Sequence, residues 1–234
     1  MMTKRTVAIG DIHGCHIALE RLLEELKISP SDTIVVLGDV VDRGPGTKQA
    51  IDRLIELQSE CEVVFLMGNH EEMMLESRDG SGIERMWLRY GGRETLNSYG
   101  GGYGLVPETH WKFLKTARNY WETESEIFIH ANLQPGVPLP SQTIDWLRWT
   151  RISGKETPRD CGRRVICGHS SLDAGVPLVM KGWVCIDTWC YGNQYLTALD
   201  VTNDLVYQAK QTGETRPPVP LDTFGQSSET EKQE

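Results

Sequence analysis

Five short clusters hold the side chains of this chain that could bind cations, move protons and grip anions. They are Asp11-Ile12-His13, Asp39-Val40-Val41-Asp42-Arg43, Asn69-His70-Glu71, His130 and His169. Carboxylate oxygen, amide oxygen and imidazole nitrogen together form a ligand set that suits Mn, Fe or Zn. Gly10, Gly38, Gly68 and Gly168 each precede one of these polar residues, and glycine lets the backbone approach an ion closely. Taken singly, each cluster has a plain alternative. Gly-Asp is common at turns, Asn-His can cap a helix beginning near Glu71, and Asp42-Arg43 reads as a surface ion pair. His130 and His169 have a competing reading as satisfied buried histidines. His16 and His110 fall outside the clusters and are expected to be ordinary surface residues.

The elements that must position these groups explain why the clusters belong together. Thr6-Val7-Ala8-Ile9, Thr33 to Leu37 and Val63 to Met67 are short apolar runs rich in β-branched residues, each ending in Gly and a polar residue. Between them, Ile17 to Ile28 and Thr47 to Leu57 carry leucine and isoleucine at helical spacing. Continuous apolar strands joined by helices indicate a parallel sheet covered on both faces. Sites in such sheets form beyond the carboxyl ends of the strands. Asp11, Asp39 and Asn69 are therefore expected on one rim. Strand signals return at Glu126 to Ile129 before His130, at Val165 to Cys167 before Gly168-His169, and at Val184 to Ile186 before Asp187. Residues 80–122 look helical and loop-rich, with Gly100-Gly101-Gly102 in a turn. Tyr195 to Val201 and Leu205 to Gln208 read as a hairpin. One domain over residues 1–211 and a disordered polar tail over 212–234 are expected.

Composition narrows the function classes. A length of 234 residues suits one compact domain with a substantial core. The formal charge of −9 disfavours a nucleic-acid partner, which needs clustered Lys and Arg. No run approaches the roughly 20 apolar residues of a membrane helix, and Val7-Ala8-Ile9 is too short for a signal-peptide core. A cytoplasmic location is the resulting expectation. The six cysteines form no C-x-x-C pair and read as buried thiols rather than a zinc site or disulfide framework. Trp87, Trp111, Trp121 and Trp146 are expected to serve in packing rather than in recognition of a peptide or base.

The order GDIHG, GDVVDRG, GNHE, a strand-terminal His and GH closely resembles the PPP-type phosphoprotein phosphatases in their bacterial form, which are calcineurin-like metallophosphoesterases. Trp87 to Leu96 (WLRYGGRETL), Ile127 to Leu133 (IFIHANL) and Ile186 to Leu199 (IDTWCYGNQYLTAL) resemble the corresponding family stretches, so the likeness runs from Thr6 to about Lys210. The resemblance implies an α/β calcineurin-like metallophosphoesterase fold, a central β-sandwich of mixed sheets flanked by helices on both sides. It also implies a dinuclear site, with Asp11 and His13 on the first metal, Asp39 bridging, and Asn69, His130 and His169 on the second. A shared carboxylate suits ions roughly 3.5–4 Å apart, and water between two cations ionises near neutral pH. A metal-bridging hydroxide would attack phosphorus, His70 would protonate the departing oxygen, and Asp42 would pair with His70.

Arg43 would grip the phosphate oxygens, alongside Asn69 and a second arginine. Trp146-Leu147-Arg148 and Trp149-Thr150-Arg151 both offer the Trp-x-Arg pattern that carries this arginine in the family. Arg151 is favoured because Leu147 then stands two residues before the Trp, although Ile152 replaces the acidic residue that often follows. Two divalent ions are implied, Mn foremost, with Fe or Zn as alternatives. The expected substrates are phosphate monoesters, phosphoserine or phosphothreonine in proteins foremost, with phosphotyrosine or a small phosphorylated metabolite as alternatives. Gly168-His169-Ser170-Ser171 lacks the Gly-His-x-His of related phosphodiesterases. Asp42 is a residue that the related symmetrical diadenosine tetraphosphate hydrolases usually lack. A dinucleoside polyphosphatase is the runner-up reading, followed by a non-catalytic protein that binds metal or phosphoprotein. Oligomeric state is not legible.

Overall fold

Residues 4–225 of the chain are described by a computed structural model. Strands β1 (Thr6–Ile9), β2 (Thr33–Val36) and β3 (Glu62–Phe65) lie parallel and in register, joined by helices α1 (His16–Leu26) and α2 (Thr47–Leu57). The antiparallel strands β9 (Tyr195–Asp200), β10 (Leu205–Lys210) and β11 (Thr215–Pro220) extend this sheet beyond β1, in the order β11-β10-β9-β1-β2-β3. A second sheet runs β4-β5-β6-β8-β7. Its strands are β4 (Tyr120–Glu122), β5 (Glu126–Ile129), β6 (Arg164–Cys167), β7 (Leu178–Met180) and β8 (Trp183–Cys185).

The unbroken apolar character of the strands follows from burial of both faces of each sheet. Ala8, Val35, Val64 and Leu199 of the first sheet meet Phe128, Ile166 and Val184 of the second in one cluster, which is the seam of a sandwich. Val7, Ile9, Ile34 and Val36 point the other way, onto Leu19, Leu22, Ile51 and Leu54 of α1 and α2. Burying each such leucine or isoleucine is worth about 1.5–3 kcal/mol. The outer face of the second sheet packs Ile127, Ile129 and Val165 against Leu133, Leu139 and Leu147, the last on the short helix Ile144–Arg148. The mixed two-sheet sandwich is thus as expected. One face of the first sheet meets the second sheet and the other meets helices, as a sandwich flanked by helices requires.

Two expectations need correction. The stretch from Thr212 was expected to be disordered, yet Thr215–Pro220 pairs antiparallel with β10. An edge strand tolerates Pro217, Pro218 and Pro220 because its outer side needs no donors, so composition cannot tell it from a tail. Residues 226–234 of that expected tail lie outside the described residues. His110 is not a surface residue: it is buried on the helix Glu108–Leu114, held by the Tyr99 hydroxyl at 2.8 Å and Asp52 at 2.9 Å. His16 is half-buried, and its Nδ1 meets no partner. Trp87 and Trp111 are core residues, as their expected packing role requires. Among the described residues no helix is long and apolar enough to cross a membrane.

Candidate metal centre and active site

The polar clusters converge at the carboxyl ends of β1, β2, β3, β5 and β6. Asp39 lies at the middle. Its Oδ2 stands 3.5 Å from His13 Nε2, and its Oδ1 stands 3.5 Å from His130 Nε2. His13, Asp39 and His70 offer ligand atoms within 4.8 Å of one another, and so do Asp39, His130 and His169. The Asn69 side-chain oxygen lies 3.1 Å from both His130 Nε2 and His169 Nδ1. Asp11 is placed differently. Its carboxylate accepts the His169 N–H at 3.0 Å, and it belongs to neither close group.

Each imidazole is aimed by its other ring nitrogen. His13 Nδ1 lies 2.8 Å from the Val41 carbonyl and His130 Nδ1 lies 2.8 Å from that of Leu37, so both Nε2 atoms face Asp39. A backbone carbonyl on the far nitrogen is the usual way to fix the tautomer of a metal-binding histidine. His13, Asp39, Asp42, Arg43 and His169 all have positive φ, a strained backbone for residues with a Cβ. Such strain persists only where surrounding contacts over-determine it. Glu71 supplies many of those contacts: its buried carboxylate accepts the N–H groups of Asp39, Val40 and Val41 at 2.7, 2.7 and 3.1 Å, and that of Gly68 at 3.1 Å. Gly38 (φ +103) and Gly68 are required by close approach, since a Cβ would stand 2.7 Å from Gly68 N and 2.1 Å from Asp39 Oδ1 respectively.

Beside this group sits a proton-transfer pair. His70 Nδ1 is 2.7 Å from Asp42 Oδ2, and its Nε2 is 3.2 Å from the Arg43 guanidinium. With the proton on Nδ1, Arg43 donates to the Nε2 lone pair. The motif WLRYGGRETL builds the seat of Asp42. The Trp87 indole N–H donates to the carboxylate at 2.9 Å, the Thr95 hydroxyl donates at 2.8 Å, and Gly91 O accepts the Arg43 N–H at 3.3 Å. The helix there is interrupted by a π-turn at Leu88–Gly92, with Gly91 at φ +116. Arg43 donates to the Tyr191 hydroxyl at 3.0 Å and lies over the Tyr191 ring, while its buried Nε has no partner. Arg148 is engaged elsewhere, by Glu72 at 2.5 Å and Asn119 at 2.6 Å. Arg151 has an exposed side chain with no ion pair among the described residues, and its positive charge reaches His169.

Electrostatics divide the site. Burial pushes Asp39 up, but His130, His70, His13 and His169 outweigh it and hold the carboxyl well below the usual range. Asp11 is pushed well above its ordinary value by burial and by the carboxylates of Asp187 and Asp39. Burial, then His70, lowers His13, and burial with His130 brings His169 down to about 4. For His70 burial opposes protonation, but Asp39 and Asp42 prevail and raise it. Burial raises Glu71 to about 8. A lowered pKa favours the neutral imidazole that binds a metal, and a raised one favours the form that can donate a proton. Asp11, His13, Asp39, Asn69, His130 and His169 could hold divalent cations, with His70 set apart by its pairing with the Asp42 carboxylate at 2.7 Å.

Sequence reasoning gave Trp87 a packing role only and none to Glu71, Thr95, Asp187 or Tyr191, although the quoted motifs contain all five. Their types gave no signal, since Trp and Thr are ordinary core residues and acquire a role only from what they touch.

The chain matches the calcineurin-like phosphoesterase family over residues 4–193. It is 38% identical over 85 residues to serine/threonine-protein phosphatase 1 of Salmonella typhimurium, a match covering 36% of this chain and 37% of that one. It is 45% identical over 74 residues to the symmetrical bis(5'-nucleosyl)-tetraphosphatase of Acidovorax ebreus, covering 31% and 26%. The matched stretches thus span only 26% to 37% of the length of these curated relatives. Among solved structures, a putative diadenosine tetraphosphatase superposes with a TM-score of 0.69 at 20% identity, covering 88% of this chain and 92% of that one. A cold-active protein-tyrosine phosphatase of a Shewanella species gives 0.64 at 18% identity, covering 92% and 82%. Likeness at this level establishes a shared fold.

Proposed function

The chain belongs to the calcineurin-like phosphoesterases, hydrolases that use divalent metal ions, and from that premise we propose that it hydrolyses phosphate monoesters, phosphoserine and phosphothreonine in proteins foremost. The observation that carries this reading is the Asp42–His70 pair at 2.7 Å, held by Trp87 and Thr95. An alkoxide is a poor leaving group and must be protonated as it departs, which is the task of a cationic, oriented imidazole. A nucleoside phosphate leaves readily as an anion, because phosphate ionises near pH 6. An acid held this carefully is superfluous for such a leaving group.

Two divalent cations on Asp11, His13, Asp39, Asn69, His130 and His169 would neutralise phosphate charge and make water a nucleophile near neutral pH. Manganese is the first choice to supply, with iron or zinc as alternatives. The protein's own residues do the rest. Arg43, with an unpartnered Nε and a guanidinium anchored by Tyr191, would grip the phosphate oxygens. When phosphate draws Arg43 away, His70 Nε2 is free to carry the proton that the departing oxygen takes. Asp42 holds the ring in line and stabilises its cationic form. Arg151, rather than the engaged Arg148, supplies the second cationic contact.

A dinucleoside polyphosphatase is the second reading, favoured by the 45% identity to a relative of that name. The two separate when p-nitrophenyl phosphate, an alkyl phosphate, a bis-ester and diadenosine tetraphosphate are assayed side by side with manganese. Monoester turnover is expected, with His70→Asn losing far more on the alkyl than on the nitrophenyl ester. Fast cleavage of diadenosine tetraphosphate that is indifferent to His70→Asn would overturn the proposal.

A further inference from the structure

Asn69, His130 and His169, the groups assigned to the second cation alone, come from three separate parts of the chain, and one short segment touches all three. Residues 146–151 comprise the end of the helix Ile144–Arg148 and the chain that follows it. Beside His130 the segment is stitched to the end of β5. The Ala131 N–H donates to the Leu147 carbonyl at 2.9 Å, the Asn132 N–H to that of Trp146 at 3.0 Å, and the Asn132 side-chain amide to that of Arg151 at 3.1 Å. At His169 the Trp149 carbonyl lies 3.0 Å from Nε2, and the Ile152 N–H donates to the Ser170 hydroxyl at 3.0 Å. The link to Asn69 is Glu72, on the same helix, Asn69–Arg78. Its carboxylate accepts the Trp149 indole N–H at 2.6 Å and the Arg148 guanidinium at 2.5 Å.

Trp149 is where these links meet. Its carbonyl has the task that those of Val41 and Leu37 have for His13 and His130: it takes the proton of the far ring nitrogen. The near nitrogen, Nδ1, is then a lone pair 3.1 Å from the Asn69 side-chain oxygen, as is His130 Nε2. Three acceptors face one another there, which suits a bound cation. Val41 and Leu37 are fully buried, so the surrounding core fixes their carbonyls. Trp149 is 39% exposed, and packing alone does not fix it. What holds it is the bond from its indole to Glu72.

We infer that Glu72 and Trp149 are positioning residues for the second cation: their bond keeps the Trp149 carbonyl on His169, and the same segment delivers Arg151 to the phosphate. The inference rests on the proposed two-cation site and adds a coupling to it. Whatever loosens this segment weakens one cation and displaces Arg151 together. Arg148 is the lesser part of the clamp, because Asn119 also accepts from it and its removal leaves the indole bond in place.

The test is manganese titration of metal-free wild type, Trp149→Phe, Glu72→Ala, Glu72→Gln and Arg148→Ala, read by the EPR signal of unbound ion, with melting temperatures alongside. Wild type should take up two ions. Trp149→Phe keeps an aromatic ring and deletes the N–H; it and Glu72→Ala should weaken one of the two steps about tenfold and leave the other unchanged. That factor is the lower end for an outer partner of a metal-binding histidine. Glu72→Gln keeps an acceptor for the indole and should bind both ions as wild type does. Arg148→Ala should melt lower yet also keep both affinities, which separates positioning from stability. Folded Trp149→Phe and Glu72→Ala proteins that bind both ions like wild type would overturn the inference and spare the two-cation site. A wild type that takes up fewer than two ions would remove both.

Discussion

Replacing Trp87 by Phe separates proton donation from the rest of the site. The Asp42 carboxylate is fully buried and receives three groups: His70 Nδ1 at 2.7 Å, the Trp87 indole N–H at 2.9 Å and the Thr95 hydroxyl at 2.8 Å. Phenylalanine keeps an aromatic ring in the core and deletes one donor. A hydrogen bond to a charged group contributes about 1.5–3 kcal/mol, so the loss corresponds to roughly 10- to 150-fold in rate if all of it bears on the transition state. Burial already raises Asp42, against the pull of His70 and Thr95. Removing a donor raises it further, so the carboxylate takes up its proton at higher pH and His70 loses its anionic partner. The acid limb of the kcat profile should therefore move upward. The assay is kcat against pH for an alkyl phosphate and for p-nitrophenyl phosphate, with thermal unfolding measured beside it, because the smaller ring also leaves a cavity. The alkyl ester should lose the full factor and the nitrophenyl ester little. Equal losses on both esters with an unmoved acid limb would refute the role given to Asp42 and His70.

Arg148→Ala should lower the unfolding temperature, because it releases Glu72 and Asn119, and should leave kcat/KM nearly intact; Arg151→Ala should do the reverse, costing about 10²-fold in kcat/KM through the lost phosphate contact. Steady-state kinetics and melting curves on the two variants check this. Chelation should abolish turnover and lower the melting temperature, since Asp11, Asp39 and Asp187 crowd buried negative charge. Manganese at 100 times its Kd should restore about 2.7 kcal/mol. Because Asp11 is pushed well above its ordinary value by burial and by Asp187, cation binding should release protons and tighten as pH rises. Calorimetry in buffers of different ionisation enthalpy reads that release. Burial raises Asp32, but the hydrogen bond and charge of Arg5 at 2.6 Å outweigh it and lower its pKa. Its contribution is therefore complete above the unfolded value and fades as pH falls through the folded one; Asp32→Asn should flatten the acid side of a stability profile taken from urea melts.

Much of the candidate site was legible because metal-binding chemistry restricts residue type. Asp11, His13, Asp39, Asn69, His130 and His169 are polar residues ending apolar runs, and the parallel register of β1, β2 and β3 places the first clusters on one rim. The helices at Thr47–Leu57 and near Ile17 to Ile28 followed from apolar spacing, which a one-sided packing surface imposes directly on the chain. The strand β11 was not legible, because an edge strand containing three prolines has the composition of a tail. His110 was not legible either. Its burial depends on Tyr99 and Asp52, and the latter is distant in the chain.

By itself the sequence determined which chemistry was available and the strand ends that would carry it, since periodicity and ligand type are local properties. Only the tertiary structure decided that Glu71 fastens the strained Asp39 loop, that Trp87 and Thr95 seat Asp42, and that Arg148 is engaged while Arg151 is not. These are contacts between segments dozens of residues apart. Their partners are chosen by packing geometry, which no short stretch of chain records.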